Sequence, residues 1–246
     1  VNSLLQQNQA AWNQVASRWY GKGALPEWGP FAVGRDRPDL IGEIVGRSFV
    51  EVGCGSGHSI RYLIERGAAH VYGIDLSDEQ ITYARDTNRD AIAAGKADLF
   101  TASMEQTLPI EPVDTVFSIY ALGWTVDPAQ TLRNIAAYLK PGGRLVWSWD
   151  HPVFAHIQYQ NDEVVLASPY YDEQPHETQN NGILSTRALS TWFRLLREAG
   201  FDIVDFLEPA PLDIEDKHHN PQKYYSIYKA SIIPATMIFV CRKVSI

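Results

Sequence analysis

The segment FVEVGCGSGHSI (49–60) ends a strand-forming run in a turn with glycine at every second position, Gly53, Gly55 and Gly57, behind the acidic Glu51. Such a turn bends tightly between strand and helix and lets a ligand approach the backbone with no Cβ in the way. The spacing discriminates between ligands. A dinucleotide turn needs G-x-G-x-x-G, but its last position falls on His58 counted from Gly53 and on Ile60 counted from Gly55, so neither register completes it. No Gly-Lys-Ser/Thr follows, which removes the P-loop. Glu51 would repel a phosphate and suits a ligand bearing a positive group.

Around this turn the pattern is regular. Apolar strand runs at 48–52, 70–74, 98–102, 113–120 and 144–149 alternate with helical runs at 57–66, 76–95 and 128–139, with KPGG at 140–143 as a turn. A helix from Thr186 with Ser185 as cap, a strand at 201–207 and a last strand near 235–242 complete the series. Alternation at this spacing predicts βαβ units and a mainly parallel sheet with helices on both faces. The continuous apolar strands agree with burial on both sides. Ser77 with Gln80 three residues on has the spacing of a capping box. The second strand ends in Asp75, 18 residues after Gly57, where a carboxylate can accept hydrogen bonds from both hydroxyls of a ribose.

Glu-x-Gly-x-Gly-x-Gly with an acidic end to strand 2 resembles the class I S-adenosylmethionine-dependent methyltransferases, in particular the type 11 group. The resemblance spans about residues 45–150. It implies an α/β, Rossmann-like seven-stranded sheet with an antiparallel last strand, and S-adenosyl-L-methionine as cofactor. Its cofactor loop maps onto Glu51, Gly53, Cys54, Gly55 and Gly57, its ribose acid onto Asp75, with Leu76 beside the adenine. Ser103 stands where the family usually has an acid for the adenine amino group, with backbone from Met104 beside it. Tyr120 and Ala121, and Trp124 unless it only packs, fall under the methionine moiety. Tyr20 matches a position whose hydroxyl often faces the cofactor or takes part in catalysis; an amphipathic helix covering the sheet edge explains that segment equally.

One methyltransferase domain over 1–246 is therefore expected: a helical cap at 1–46, a cofactor-binding core at 47–149, and insertions at 150–184, after strand 5, and at 208–234, between strands 6 and 7. The insertions are rich in tyrosine and are read as a lid over the acceptor pocket, suited to an aromatic or mixed-polarity small molecule. Methyl transfer needs positioning and, for a hydroxyl or amine acceptor, a base. His151, directly after strand 5, is the candidate base, or else a cap on the strand end; Asp150 has the same two readings. His156, His218 and His219 match no zinc spacing, so no metal is expected. A net charge of −8 and the absence of an Asn/Asp-Pro-Pro-aromatic motif speak for a small-molecule acceptor, O- or N-nucleophilic, rather than nucleic acid. Two cysteines, no leader and no apolar run of span length lead us to expect a cytoplasmic monomer or homodimer without a membrane partner. The rival functional readings are a cofactor-binding protein without catalysis and a nicotinamide-dependent oxidoreductase on a related sheet, against which the incomplete G-x-G-x-x-G counts.

Overall fold

The computed structural model describes residues 2–32, 38–211 and 220–244. Seven strands form the central sheet: β1 (Ser48–Val52), β2 (His70–Asp75), β3 (Ala97–Thr101), β4 (Val113–Ile119), β5 (Leu139–Asp150), β6 (Phe201–Leu207) and β7 (Thr236–Lys243). Their order across the sheet is β6-β7-β5-β4-β1-β2-β3. The five strands from β1 to β5 run parallel. The last strand inserts antiparallel between β5 and β6, as expected. The order reverses between β1 and β4, which opens a crevice at the carboxyl ends of those strands.

The helices are α1 (Asn2–Val15), α2 (His58–Glu65), α3 (Asp78–Thr87), α4 (Arg89–Ala93), α5 (Pro128–Tyr138), α6 (Pro152–Ala155), α7 (Leu189–Glu198) and α8 (Ile227–Ala230). Strand side chains alternate between the two faces, and each face has its own core. Val50, Val116, Trp147 and Phe239 meet Leu132 and Ile135 of α5 and Trp192 and Leu196 of α7. Phe49, Phe117, Val146 and Ile238 meet Ile60, Leu63 and Ile81 of α2 and α3, closed over by Leu25 and Trp28. Trp147 stacks on Phe239 at 5.0 Å, joining β5 to β7 within the first core.

Two helix starts differ instructively. At α3 the Ser77 hydroxyl accepts from Gln80 N at 3.1 Å, as its spacing predicts. The run expected to be helical from Thr186 becomes α7 only at Leu189, and Ser185 does not cap it. Ala188 N instead donates to Glu173 Oε1 (3.0 Å) and Leu189 N to the Tyr170 hydroxyl (3.1 Å), both from the preceding insertion. The KPGG stretch read as a turn is absorbed into β5, with a register irregularity between Val113 and Thr115 of its partner.

The first insertion is less irregular than its composition suggested. It folds into two short hairpins, Ile157–Gln160 with Glu163–Leu166, and His176–Glu177 with Ile183–Leu184. The second hairpin buttresses α1: Asn8 Nδ2 donates to Ile183 O at 3.1 Å and Ile183 N donates to Asn8 Oδ1 at 2.6 Å. Among the described residues no helix is long and apolar enough to cross a membrane.

Candidate active site

A cavity of about 620 Å³ opens at the carboxyl ends of β1, β2 and β4. Its floor carries Gly53, Cys54, Gly55, Asp75, Leu76, Gln80, Met104, Tyr120 and Ala121. The turn is tied to β2, since Gly53 N and Cys54 N both donate to Ile74 O, at 2.7 and 2.9 Å. All three glycines have positive φ, but they serve different ends. A Cβ on Gly53 would lie 2.0 Å from Ala121 Cβ, and one on Gly57 2.5 Å from Asn88 Nδ2, so these two are small because neighbours crowd them. At Gly55 nothing comes nearer than Gln80 Oε1 at 3.9 Å. That position is open toward the cavity, where a ligand can lie against bare backbone.

Asp75 is held by backbone donors: Gly55 N reaches Oδ2 and Ser77 N reaches Oδ1, each at 2.9 Å. Burial pushes its pKa up to about 6, against the pull of these N–H groups. Leu76 N adds to this hold, and the carboxylate keeps acceptor capacity toward the cavity, an arrangement that fits the hydroxyls of a ribose. Gln80 stands beside it. It is 3% exposed, and its Oε1 has no partner within the protein. A buried acceptor without a donor is uncommon, and its place on the cavity wall next to Gly55 suits a ligand donor. The sequence reading treated Gln80 only as part of a cap and missed this. An orphaned acceptor, an open glycine and a diol-reading carboxylate together fit the ribose and base of S-adenosylmethionine.

Glu51 departs from expectation. It is 2% exposed and is not among the residues lining the cavity. It sits behind the turn near the Ser59 hydroxyl, with Oε2 unpartnered. Burial, with Asp75 adding to it, pushes the carboxyl well above its usual range, which favours the neutral form. The charge assigned to it as a ligand for a positive group is not presented to the cavity. Burial beside Asp75 and Glu51 likewise pushes the Cys54 thiol well up. Ser103 also falls outside the lining, which takes Ala102 and Met104 from that segment.

The roof comes chiefly from residues 8–31, within the expected cap at 1–46, among them Trp12, Trp19, Gly21, Lys22, Glu27 and Phe31. The tyrosine-rich insertions contribute Leu184 and Tyr225, with Asp150 at the end of β5. The first insertion was read as a lid, but its hairpins pair with themselves, and the second props α1 from behind. Tyr20 is also displaced: it is 48% exposed, packs edge-on against His58 (4.9 Å) and Tyr83 (5.5 Å), and lies outside the lining. Its neighbours Trp19 and Gly21 line the cavity in its stead.

The far end is aromatic. Trp124 meets Trp12 at 5.3 Å and Trp149 at 6.2 Å, both edge-on. Tyr120, with φ of 52°, places its hydroxyl 2.5 Å from Thr236 Oγ1. Asp150 is 8% exposed and accepts from the Tyr224 hydroxyl at Oδ2 (2.9 Å) and the Tyr225 hydroxyl at Oδ1 (2.8 Å). Burial pushes its pKa up to about 6, while the tyrosine hydroxyls pull it down. His151, the candidate base, turns away. It caps α6, Val153 N donating to its Nδ1 at 3.3 Å, and its Nε2 stands 3.0 Å from Glu208 Oε1. It does not line the cavity, and its burial lowers its pKa. His156 Nδ1 lies 2.7 Å from Ser168 Oγ, while His218 and His219 lie outside the described residues. Among the described residues no cluster of His, Cys, Asp or Glu is placed to hold a metal.

Residues 50–147 match the family model described as "Methyltransferase domain". The chain is 28% identical over 209 residues to the tRNA U34 carboxymethyltransferase of Idiomarina loihiensis, covering 83% of this chain and 61% of that one. It is 30% identical over 141 residues to the ubiquinone biosynthesis O-methyltransferase of Aeromonas salmonicida, covering 55% of this chain and 58% of the other. It therefore spans about three-fifths of the length of these relatives. The crystal structure of an S-adenosylmethionine-dependent methyltransferase from Mesorhizobium loti superposes with a TM-score of 0.73 at 25% identity, covering 85% of this chain and 97% of that one. In sheet order, glycine turn and the match over residues 50–147 alike, the chain is similar to the S-adenosylmethionine-dependent methyltransferases, and its cavity floor fits their cofactor, S-adenosyl-L-methionine.

Proposed function

We propose that the protein transfers the methyl group of S-adenosyl-L-methionine to a small-molecule acceptor through an oxygen or nitrogen nucleophile. The observation that carries this reading is one roofed cavity running from Gly55 and Asp75 to an aromatic end at Trp124, Trp149 and Asp150. Its volume lies in the range of small-molecule sites. When bound, the cofactor supplies an electrophilic methyl on a sulfonium that leaves as a neutral thioether. Asp75 and Gln80 orient the ribose end, Gly55 admits it against the backbone, and Leu76 and Met104 bracket the base. The roof of residues 12–31 excludes water, and Tyr120 and Ala121 form the passage between the two ends.

An RNA acceptor is the second reading, favoured by the name of the Idiomarina relative. The net charge of −8 weighs against it. Calorimetric titration with S-adenosylhomocysteine and NAD, followed by acceptor screening with labelled cofactor, tests these readings. The expected result is binding of the homocysteine and methylation of members of a small-molecule panel. Label entering bulk tRNA alone would select the RNA acceptor. Binding without turnover on either panel would select a protein that holds the cofactor without catalysis, and NAD binding alone would refute the cofactor.

A further inference from the structure

Three carboxylates line the cavity among the described residues: Glu27, Asp75 and Asp150. Asp75 serves the cofactor end and Glu27 is exposed, which leaves Asp150 as the buried charge facing the rest. Both of its oxygens already accept a tyrosine hydroxyl, from Tyr224 and Tyr225. These donors favour the ionised form, and a carboxylate so held has only acceptor capacity left. A ligand atom placed against it must therefore bring a proton. A carboxylate or phosphate there would be repelled, and an atom without hydrogen would leave the charge unpaired. The surrounding wall of Trp12, Trp124, Trp149 and Tyr225 is flat and apolar.

Resting on the methyltransferase reading above, we propose that the acceptor is a flat aromatic molecule whose nucleophile is a hydroxyl or N–H hydrogen-bonded to Asp150, and that Asp150 is the general base. The acceptor O–H or N–H bond breaks and the proton goes to the Asp150 carboxylate. The electron pair left on the heteroatom forms the bond to the methyl carbon, and the pair of the carbon–sulfur bond leaves with sulfur. Tyr224 and Tyr225, with the Tyr120 hydroxyl also reaching the carboxylate, are positioning residues: three donors fix it and leave it acceptor capacity for one more.

The test reads binding, so it needs no knowledge of the natural acceptor. The protein saturated with S-adenosylhomocysteine is titrated calorimetrically with 2-naphthol, 2-methoxynaphthalene and 2-naphthoate. 2-Naphthol is expected to bind at least tenfold more tightly than either analogue. In Asp150→Asn, with homocysteine affinity kept within twofold, that preference falls below about threefold. Equal binding of the three probes, tighter naphthoate, no probe binding, or a preference that survives Asp150→Asn overturns the assignment while leaving the cofactor reading intact. Failure of S-adenosylhomocysteine itself to bind the wild type overturns both. Should Asp150→Asn lose the homocysteine, Tyr224→Phe with Tyr225→Phe keeps the carboxylate but frees it. The preference should then fall at least threefold, and an unchanged one refutes the proposal.

Discussion

Asp75 and Asp150 are the same residue in the same kind of place, each ending a parallel strand and each lifted by burial to about 6. They differ in who holds them. Asp75 takes its hydrogen bonds from Gly55 N and Ser77 N, backbone groups fixed by the turn and by the strand's own exit. Asp150 takes its own from Tyr224 and Tyr225, side chains 74 and 75 residues further along. Backbone donors come with the fold, so the cofactor end is set once the sheet forms. Tyrosine donors can be exchanged without touching the sheet, which leaves the acceptor end free to vary on a constant frame.

The comparison can be broken most sharply by removing each carboxylate. Asp75→Ala deletes the acceptor for two hydroxyls, at about 1.5–3 kcal/mol per hydrogen bond to a charged group. Calorimetry should show S-adenosylhomocysteine binding about 100-fold or more weaker, while Asp150→Asn stays within twofold; equal losses would erase the distinction. A pH titration should follow. Ionised Asp75 is the better acceptor, so homocysteine affinity should fall up to about tenfold per pH unit below about 6. Stability should move the other way. Asp150 has its folded pKa raised from 3.8 to about 6, so its charge costs the fold about 3 kcal/mol above that pH, a cost relieved as pH falls toward 3.8. Asp150→Asn should accordingly melt no lower than the wild type at pH 7, and a clear drop there would show the ionised carboxylate to be net stabilising. Tyr225→Phe, with one donor lost, should cost about 1 kcal/mol and lower Tm by about 2–4 °C. The smallest effect belongs to the same contrast at helix starts. Glu173→Ala, removing the remote acceptor at Ala188 N, should cost about 0.5–1 kcal/mol in thermal melts, no more than Ser77→Ala at its local cap.

Legibility followed the same line. The β1 turn, Asp75 and the alternation of strands and helices were readable because each is decided within a few residues by glycine freedom, capping and apolar periodicity. Glu51 was found by its motif, but the motif says nothing of which way a side chain on a doubly covered strand points. Its burial between the turn and α2 removed it from the wall. Tyr20, His151 and Ser103 were placed near the right segments and on the wrong surface, since one residue of offset in an irregular stretch turns a side chain aside. A cap at 1–46 was expected, but the seating of its second half was hidden for another reason. Residues 20–32 have no periodicity, and what seats them is remote, such as Leu25 N on the Ser59 hydroxyl and Gly21 N on the Ser56 hydroxyl. The pairing of Asp150 with Tyr224 and Tyr225 left no local trace at all.

Thr236 gives the chamber a clasp. Its hydroxyl donates to Pro30 O at 2.8 Å and meets the Tyr120 hydroxyl, whose ring lies where a Cβ on Gly29 would fall, at 1.9 Å. Residues 29–31 of the roof are thus clasped to the floor by a residue of β7, the strand that also joins β5 to β6. A substitution on β7, far from the glycine turn in sequence, can therefore loosen the roof while leaving that turn whole.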